Sequence, residues 1–107
     1  MTTFDKREES FEKKFVHDEE LRFKATARRN KLLGLWAAGK LGKRGAEAEA
    51  YAKSVVMADF EEIGDADVVR KVLADFEAAG IKQSDHQVRR TMDELMAQAS
   101  REVREGR

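Results

Sequence analysis

Leu21, Ala25, Leu32, Leu35 and Trp36 recur at helical spacing in the run LRFKATARRNKLLGLWAAGKL, and this apolar stripe predicts a first long helix. Asp18 stands where an N-cap would, with Glu19 and Glu20 complementing the positive end of the helix. Gly42 and Gly45 are the expected stop. A second helix over residues 46–63 carries Ala48, Ala52, Val55, Val56, Phe60 and Ile63, and Gly64 closes it. The third starts at Asp65, packs through Val68, Val69, Val72, Leu73 and Phe76, and stops at Gly80. Ile81 then stands where a Schellman ending returns an apolar side chain onto Phe76. The fourth opens at Ser84, where Ser84-x-x-Gln87 spells a capping box, and runs on through Val88, Met92, Leu95, Met96, Ala99 and Val103. Short glycine-marked connections make these helices antiparallel neighbours. The expectation is an all-α fold, a small antiparallel four-helix bundle over residues 18–107.

Residues 1–17 follow a different pattern. On a helix Phe4, Phe11 and Phe15 fall within about 40° of one another. A continuous helix would set them about a quarter turn from the stripe of Leu21, Leu32, Leu35 and Trp36. The run Asp18-Glu19-Glu20 interrupts the apolar pattern between the two. Glu9 precedes Lys13 by four residues, the favourable helical orientation, yet about 15 residues alone are only marginally helical in water. The segment reads as mobile, able to become helical against a suitable surface.

Composition narrows the class. The 107 residues include no proline and no cysteine, and 39% are charged, which suits helices with long solvated faces. Without cysteine there is neither a disulfide framework nor a thiolate metal site, and a reducing compartment is the fit. No run approaches a membrane span of about 20 apolar residues, and the N-terminus is too acidic for a signal peptide. The formal net charge of zero conceals blocks. Residues 1–20 hold seven acids against four bases; residues 21–44 hold eight bases and no acid; residues 45–67 hold seven acids against one base. Such blocks find each other within a fold or on a partner.

The chemistry of catalysis is thinly represented. GLWAAGKL, residues 34–41, matches G-x-x-x-x-G-K but ends in Leu41 where a hydroxyl would bind magnesium, and it lies in a helical pattern rather than after a strand. It is expected to be a helix ending whose glycines permit close packing, with a nucleotide-binding regulatory bundle as the alternative. His17 and His86 lack a spaced ligand set, so no metal and no cofactor is expected; His86 falls in a first helical turn and is expected to be solvated. Ser84 is a cap rather than a nucleophile, and the chain is expected not to be an enzyme. Arg22, Lys24, Arg28, Arg29 and Lys31 would meet phosphates in a nucleic-acid binder, a second alternative, but no base-reading motif accompanies them. Membrane-surface binding is opposed by the net acidic N-terminus. Protein binding remains. Phe4, Phe11 and Phe15 suit a helix laid into a partner's groove, or else a fifth short helix folded back on the bundle.

FEKKFVHDEELRFKATARRNKLLGLWAAGKLG, followed by YAKSVVMADFEEIGDADVVRKVLADF, resembles the zeta subunit family of alphaproteobacteria, whose members include inhibitors of the F1FO-ATP synthase. The resemblance runs from Thr3 to the last helix and is densest over residues 18–42. It implies a four-helix bundle and an inhibitory N-terminus that enters a catalytic α/β interface of F1 near the γ subunit and blocks rotation during ATP hydrolysis. By position that role falls on Phe4, Arg7, Phe11, Lys13, Lys14 and Phe15. The bundle, with Arg22, Lys24, Arg28, Arg29 and Lys31 as candidate anchoring face, would hold the outside of F1. The implied location is cytoplasmic, peripheral to the synthase at the inner membrane.

Overall fold

In the computed structural model four α-helices follow one another, and the structure describes residues 3–61 and 64–106, with side chains from Asp18 onward. They are α1 (Thr3–Lys40), α2 (Ala46–Ala58), α3 (Ala66–Ala78) and α4 (Asp85–Arg104). The side-chain expectations for Phe4, Arg7, Phe11, Lys13, Lys14, Phe15, His17 and Ile63 lie outside the described residues. α1 is one helix of 38 residues, about 57 Å long. Asp18 is therefore inside it and caps nothing, and no separate fifth helix precedes the first. Residues 1–33 contain neither glycine nor proline, the usual causes of a kink.

α1 is the spine of the fold, with α2 and α4 packed along it and α3 bridging them. Contacts between named residues tie the helices together. Gly34 of α1 touches Ala52 of α2, and Asn30 meets Asp59 just past the end of α2, so the two helices run antiparallel. Arg28 of α1 donates to Glu102 near the far end of α4 at 3.3 Å. Tyr51 Oη of α2 donates to Asp75 of α3 at 2.8 Å, beside Lys71 Nζ at 2.9 Å on the same oxygen. Burial raises the Asp75 carboxyl, but the two donated hydrogen bonds and the Lys71 charge outweigh it and bring it below the usual carboxylate range. The Tyr51 hydroxyl is pushed well above the ordinary phenol range, first by burial and then by Asp75.

The core forms where α1 is flanked on both sides. Leu33, Ala37, Tyr51, Val55, Val68, Val69, Val72, Phe76, Val88 and Met92 make one cluster, with Trp36, Leu73, Ile81 and Leu95 half-buried against it. Trp36 meets Phe76 edge to face, ring centroids 5.7 Å apart at 78°. The stripes expected for α3 and α4 are as found. In α1 the buried stripe is Ala25, Arg29, Asn30, Leu33, Ala37 and Ala38, not one centred on Leu32, Leu35 and Trp36, which are half-buried at its sides. Alanines alternate there with Leu33 and the hydrogen-bonded Arg29 and Asn30, since α1 is packed by helices on more than one side.

The helix ends follow local chemistry. Ile81 N–H donates to the Phe76 carbonyl at 2.8 Å and Gly80 N–H to Glu77 at 3.1 Å, the paired bonds of a Schellman motif around Gly80 at φ +72°. α1 closes the same way, with Lys43 N–H on Ala38 and Gly42 N–H on Gly39. The capping box at Ser84 is complete, Gln87 N–H donating to Ser84 Oγ and Ser84 N–H to Gln87 Oε1. α2 departs from expectation: it stops at Ala58, five residues early, and Phe60 is 67% exposed instead of in the core.

Gly34 has a packing role that its neighbour Gly39 lacks. A Cβ on Gly34 would lie 2.5 Å from the Cα of Ala52, whereas one on Gly39 meets nothing within 4 Å. Gly→Ala inside a helix ordinarily gains about 1 kcal/mol. At Gly39 that gain is expected. At Gly34 overpacking against backbone costs about 1–3 kcal/mol and reverses the sign. Urea midpoints of Gly34→Ala and Gly39→Ala should move in opposite directions; a gain at Gly34 would mean the helices separate freely.

Candidate functional site

The eight bases of residues 21–44 do not form one surface, because α1 turns them to different sides. Arg22 is exposed and lies 3.6 Å from Glu19. Lys24 and Lys31 are exposed. Arg28 is half-buried against Glu102. These four remain on or near the surface, and Phe23 among them is 65% exposed. Phe23, Lys24, Ala27, Arg28 and Lys31 of α1, together with Val103 and Gly106, line a shallow groove of about 490 Å³. A second groove of about 450 Å³ runs between Leu21 and Ala25 of α1 and Met96 and Val103 of α4, with Asp18, Arg22 and Arg104 at its rim. Phe23 was not singled out from the sequence. The available signal was a large aromatic inside an unbroken basic run, a combination suited to contact rather than to solvation.

Arg29 has a different task. It is 4% exposed and forks onto Asp65, its two terminal nitrogens donating to the carboxylate oxygens at 2.8 and 3.2 Å. Nε and one terminal nitrogen also donate to Asn30 Oδ1, at 3.1 and 2.8 Å. Asn30 Nδ2 in turn donates to Asp59 Oδ2 at 3.0 Å. Buried charge is tolerable when fully hydrogen-bonded, and here it pins the α2–α3 connection to the middle of α1. Asp65 is still the residue before α3, but its carboxylate serves Arg29 and makes no side-chain cap.

Asp59 is raised above the usual carboxylate range, first by burial, then by Asp67 and Asp65, against lowering by Asn30 and Arg29. The sign follows from linkage. A carboxyl raised on folding adds stability that is complete below its unfolded value and is lost as pH rises through the raised one. Asp59→Asn is expected to be more stable than the natural chain at neutral pH, with the difference closing below the ordinary carboxylate range. Thermal melts from pH 3 to 7 give the comparison; a variant weaker at pH 7 would mean that the Asp59 charge holds the corner.

Residues 34–40 are α-helical, so their amides serve the helix and form no phosphate-binding loop. Lys40 Nζ lies 5.2 Å over the Trp36 ring. Close packing holds for Gly34 and not for Gly39. His86 is exposed in the first turn of α4. Among the described residues no group of three or more His, Asp or Glu side chains could hold a metal ion, and no helix is long and apolar enough to cross a membrane.

The corrected stripe of α1 changes the geometry of the N-terminal pattern. At 100° per residue positions 15 and 33 coincide, and positions 4 and 11 fall within about 40° of that line. The quarter-turn offset expected from Leu32, Leu35 and Trp36 is therefore absent: by position, the phenylalanines repeat the stripe that Ala25, Leu33 and Ala37 bury. α4 reaches its last turns beside Asp18 and Leu21.

Three comparisons bear on this arrangement. A family model described as ATPase inhibitor subunit zeta matches residues 1–102. A solved solution NMR structure of a protein is 49% identical, with a TM-score of 0.72, over 81% of this chain and 99% of that one. Comparison with curated proteins gives no match.

Proposed function

Because the chain belongs to the ATPase inhibitor subunit zeta family, we propose that it restrains ATP hydrolysis by the F1 sector of ATP synthase, residues 1–17 acting as the inhibitory segment and residues 18–107 as its anchor. The observation that carries the division of labour is α1 itself. One helix from Thr3 to Lys40 contributes a stripe to the bundle core at Ala25, Leu33 and Ala37, and the sequence repeats that stripe at Phe4, Phe11 and Phe15. The same helix face is used twice, once for the protein's own core and once for a partner.

In this reading the segment enters a catalytic α/β interface near the γ subunit as an amphipathic helix. Each phenylalanine buried there contributes about 1.5–3 kcal/mol before the cost of ordering. Arg7, Lys13 and Lys14 meet carboxylates and set register more than affinity. Without glycine or proline through residue 33, α1 transmits force from the segment to the bundle instead of folding under it. Lys24, Arg28 and Lys31 in one groove with Phe23, and Arg22 at the rim of the next, hold the outside of F1, while Arg29 stays inside and stiffens the corner. The block is steric, so neither cofactor nor catalytic group is required, and the protein works at the cytoplasmic face of the inner membrane, peripheral to the synthase. ATP hydrolysis by cognate F1 should fall as the full chain is added; an unchanged rate at saturating protein removes the reading.

A further inference from the structure

Three large apolar side chains are mostly exposed among the described residues: Phe23, Met57 at 60% and Phe60. Phe23 belongs to the basic face. Met57 and Phe60 lie elsewhere, at the end of α2, three residues apart in one wound turn. Phe60 N–H donates to the Met57 carbonyl at 3.1 Å, and Asp59 and Glu61 N–H to Val56 and Ala58. That turn is held from below by Asn30 on Asp59, so the pair is presented on a stiff knuckle rather than a loose loop. Methionine and phenylalanine are side chains enriched at the centres of interfaces.

The electrostatics say what the knuckle would accept. The carbonyl end of α2 carries negative helix-dipole charge, and its last turn holds no basic residue to offset it. Glu61 is exposed just past it, and residues 45–67 as a block hold seven acids against one base, while Asp59 and Asp65 at the same corner are engaged by Asn30 and Arg29. Arg29, which reaches this corner, is buried and already engaged with Asp65 and Asn30. An exposed acid such as Glu61 at a helix C-terminus is unfavourable against the dipole, and a cation from outside would relieve it.

We propose that Met57 and Phe60, with the exposed Glu61 beside them in sequence, form a second docking surface that takes a basic segment bearing an apolar side chain on the outside of the ATPase. The proposal rests on the function proposed above and adds to it a contact of opposite charge to the Phe23 face. The apolar pair gives the contact a component that salt does not screen, and the acids give it orientation.

The test uses the labelled full chain, titrated with cognate F1 and followed by fluorescence anisotropy, with ATP hydrolysis measured in parallel. The double variant Met57→Ser/Phe60→Ser should raise half-saturation about tenfold or more, as loss of an interface anchor does. Glu61→Lys should weaken binding most at low salt. Both should melt with the natural chain, since these side chains are exposed. Binding and inhibition equal to the natural chain in both variants would overturn the second surface and leave the proposed function standing. Altered self-association of the free chain with F1 binding intact would also overturn it, making the knuckle a contact between copies. A natural chain that neither binds nor inhibits F1 would remove the proposed function and this surface together.

Discussion

Phe76→Ala should cost the fold about 3–5 kcal/mol, the range for truncating a buried aromatic. Phe76 is the largest of the fully buried side chains and lies between α1, through Trp36, and the valines of α3. Nothing nearby can close the gap cheaply. Its own backbone carbonyl accepts the bond from Ile81 that ends α3, and Trp36 is held on α1 by Lys40 above its ring. A domain of this size has about 5–15 kcal/mol in all, so the loss consumes much of the margin and lowers the melting temperature on the order of 20 °C. Trp36 fluorescence reports the same site and should shift toward that of an exposed indole. Phe23→Ala supplies the contrast: the side chain is mostly exposed, and a change within about 0.5 kcal/mol is expected. Equal losses at the two positions would mean that the core is not centred where the contacts place it.

What could be read from the sequence divides along a physical line. Ser84 with Gln87, Gly80 with Ile81, and Gly42 announce helix ends through interactions only three to five residues long, and all are found as expected. The stripes of α3 and α4 were equally legible, because each presents a single face to the core. α1 was not, because it has neighbours on two sides. There, apart from Leu33, the buried positions are small or polar, Ala25, Arg29, Asn30, Gly34, Ala37 and Ala38, while residues apolar by type, Leu32 and Leu35, are pushed to the flanks. Hydrophobicity alone ranks these the wrong way round. Phe60 failed for a related reason. Nothing local stops a helix at Ala58; the stop coincides with the hydrogen bond from Asn30 to Asp59, a contact 29 residues distant in sequence. Arg29 was expected on the anchoring face because arginine usually is, and only the fold reveals that Asp65 draws it inward. Of the others, Lys24, Arg28 and Lys31 line one groove together with Phe23, and Arg22 lies at the rim of another.

Removing residues 1–17 has the largest functional effect expected of any change. The core members of α1 that the structure describes begin at Ala25, and the network around Arg29, the Gly34 contact and the capping box all lie downstream of the cut. The shortened chain should therefore keep its helical spectrum and a cooperative melt. It should lose inhibition altogether, since three aromatic anchors worth about 1.5–3 kcal/mol each amount to several orders of magnitude in affinity for the catalytic interface. Weak association through the basic face should persist at low salt and fade as salt rises.

The most direct measurement is steady-state ATP hydrolysis by cognate F1, titrated with the full chain and, in parallel, with residues 18–107. Inhibition that saturates with the full chain and is absent with the folded, shortened chain is the predicted result. Equal inhibition by the two would contradict it, and would place the inhibitory contact on the bundle instead of on the helix that extends from it.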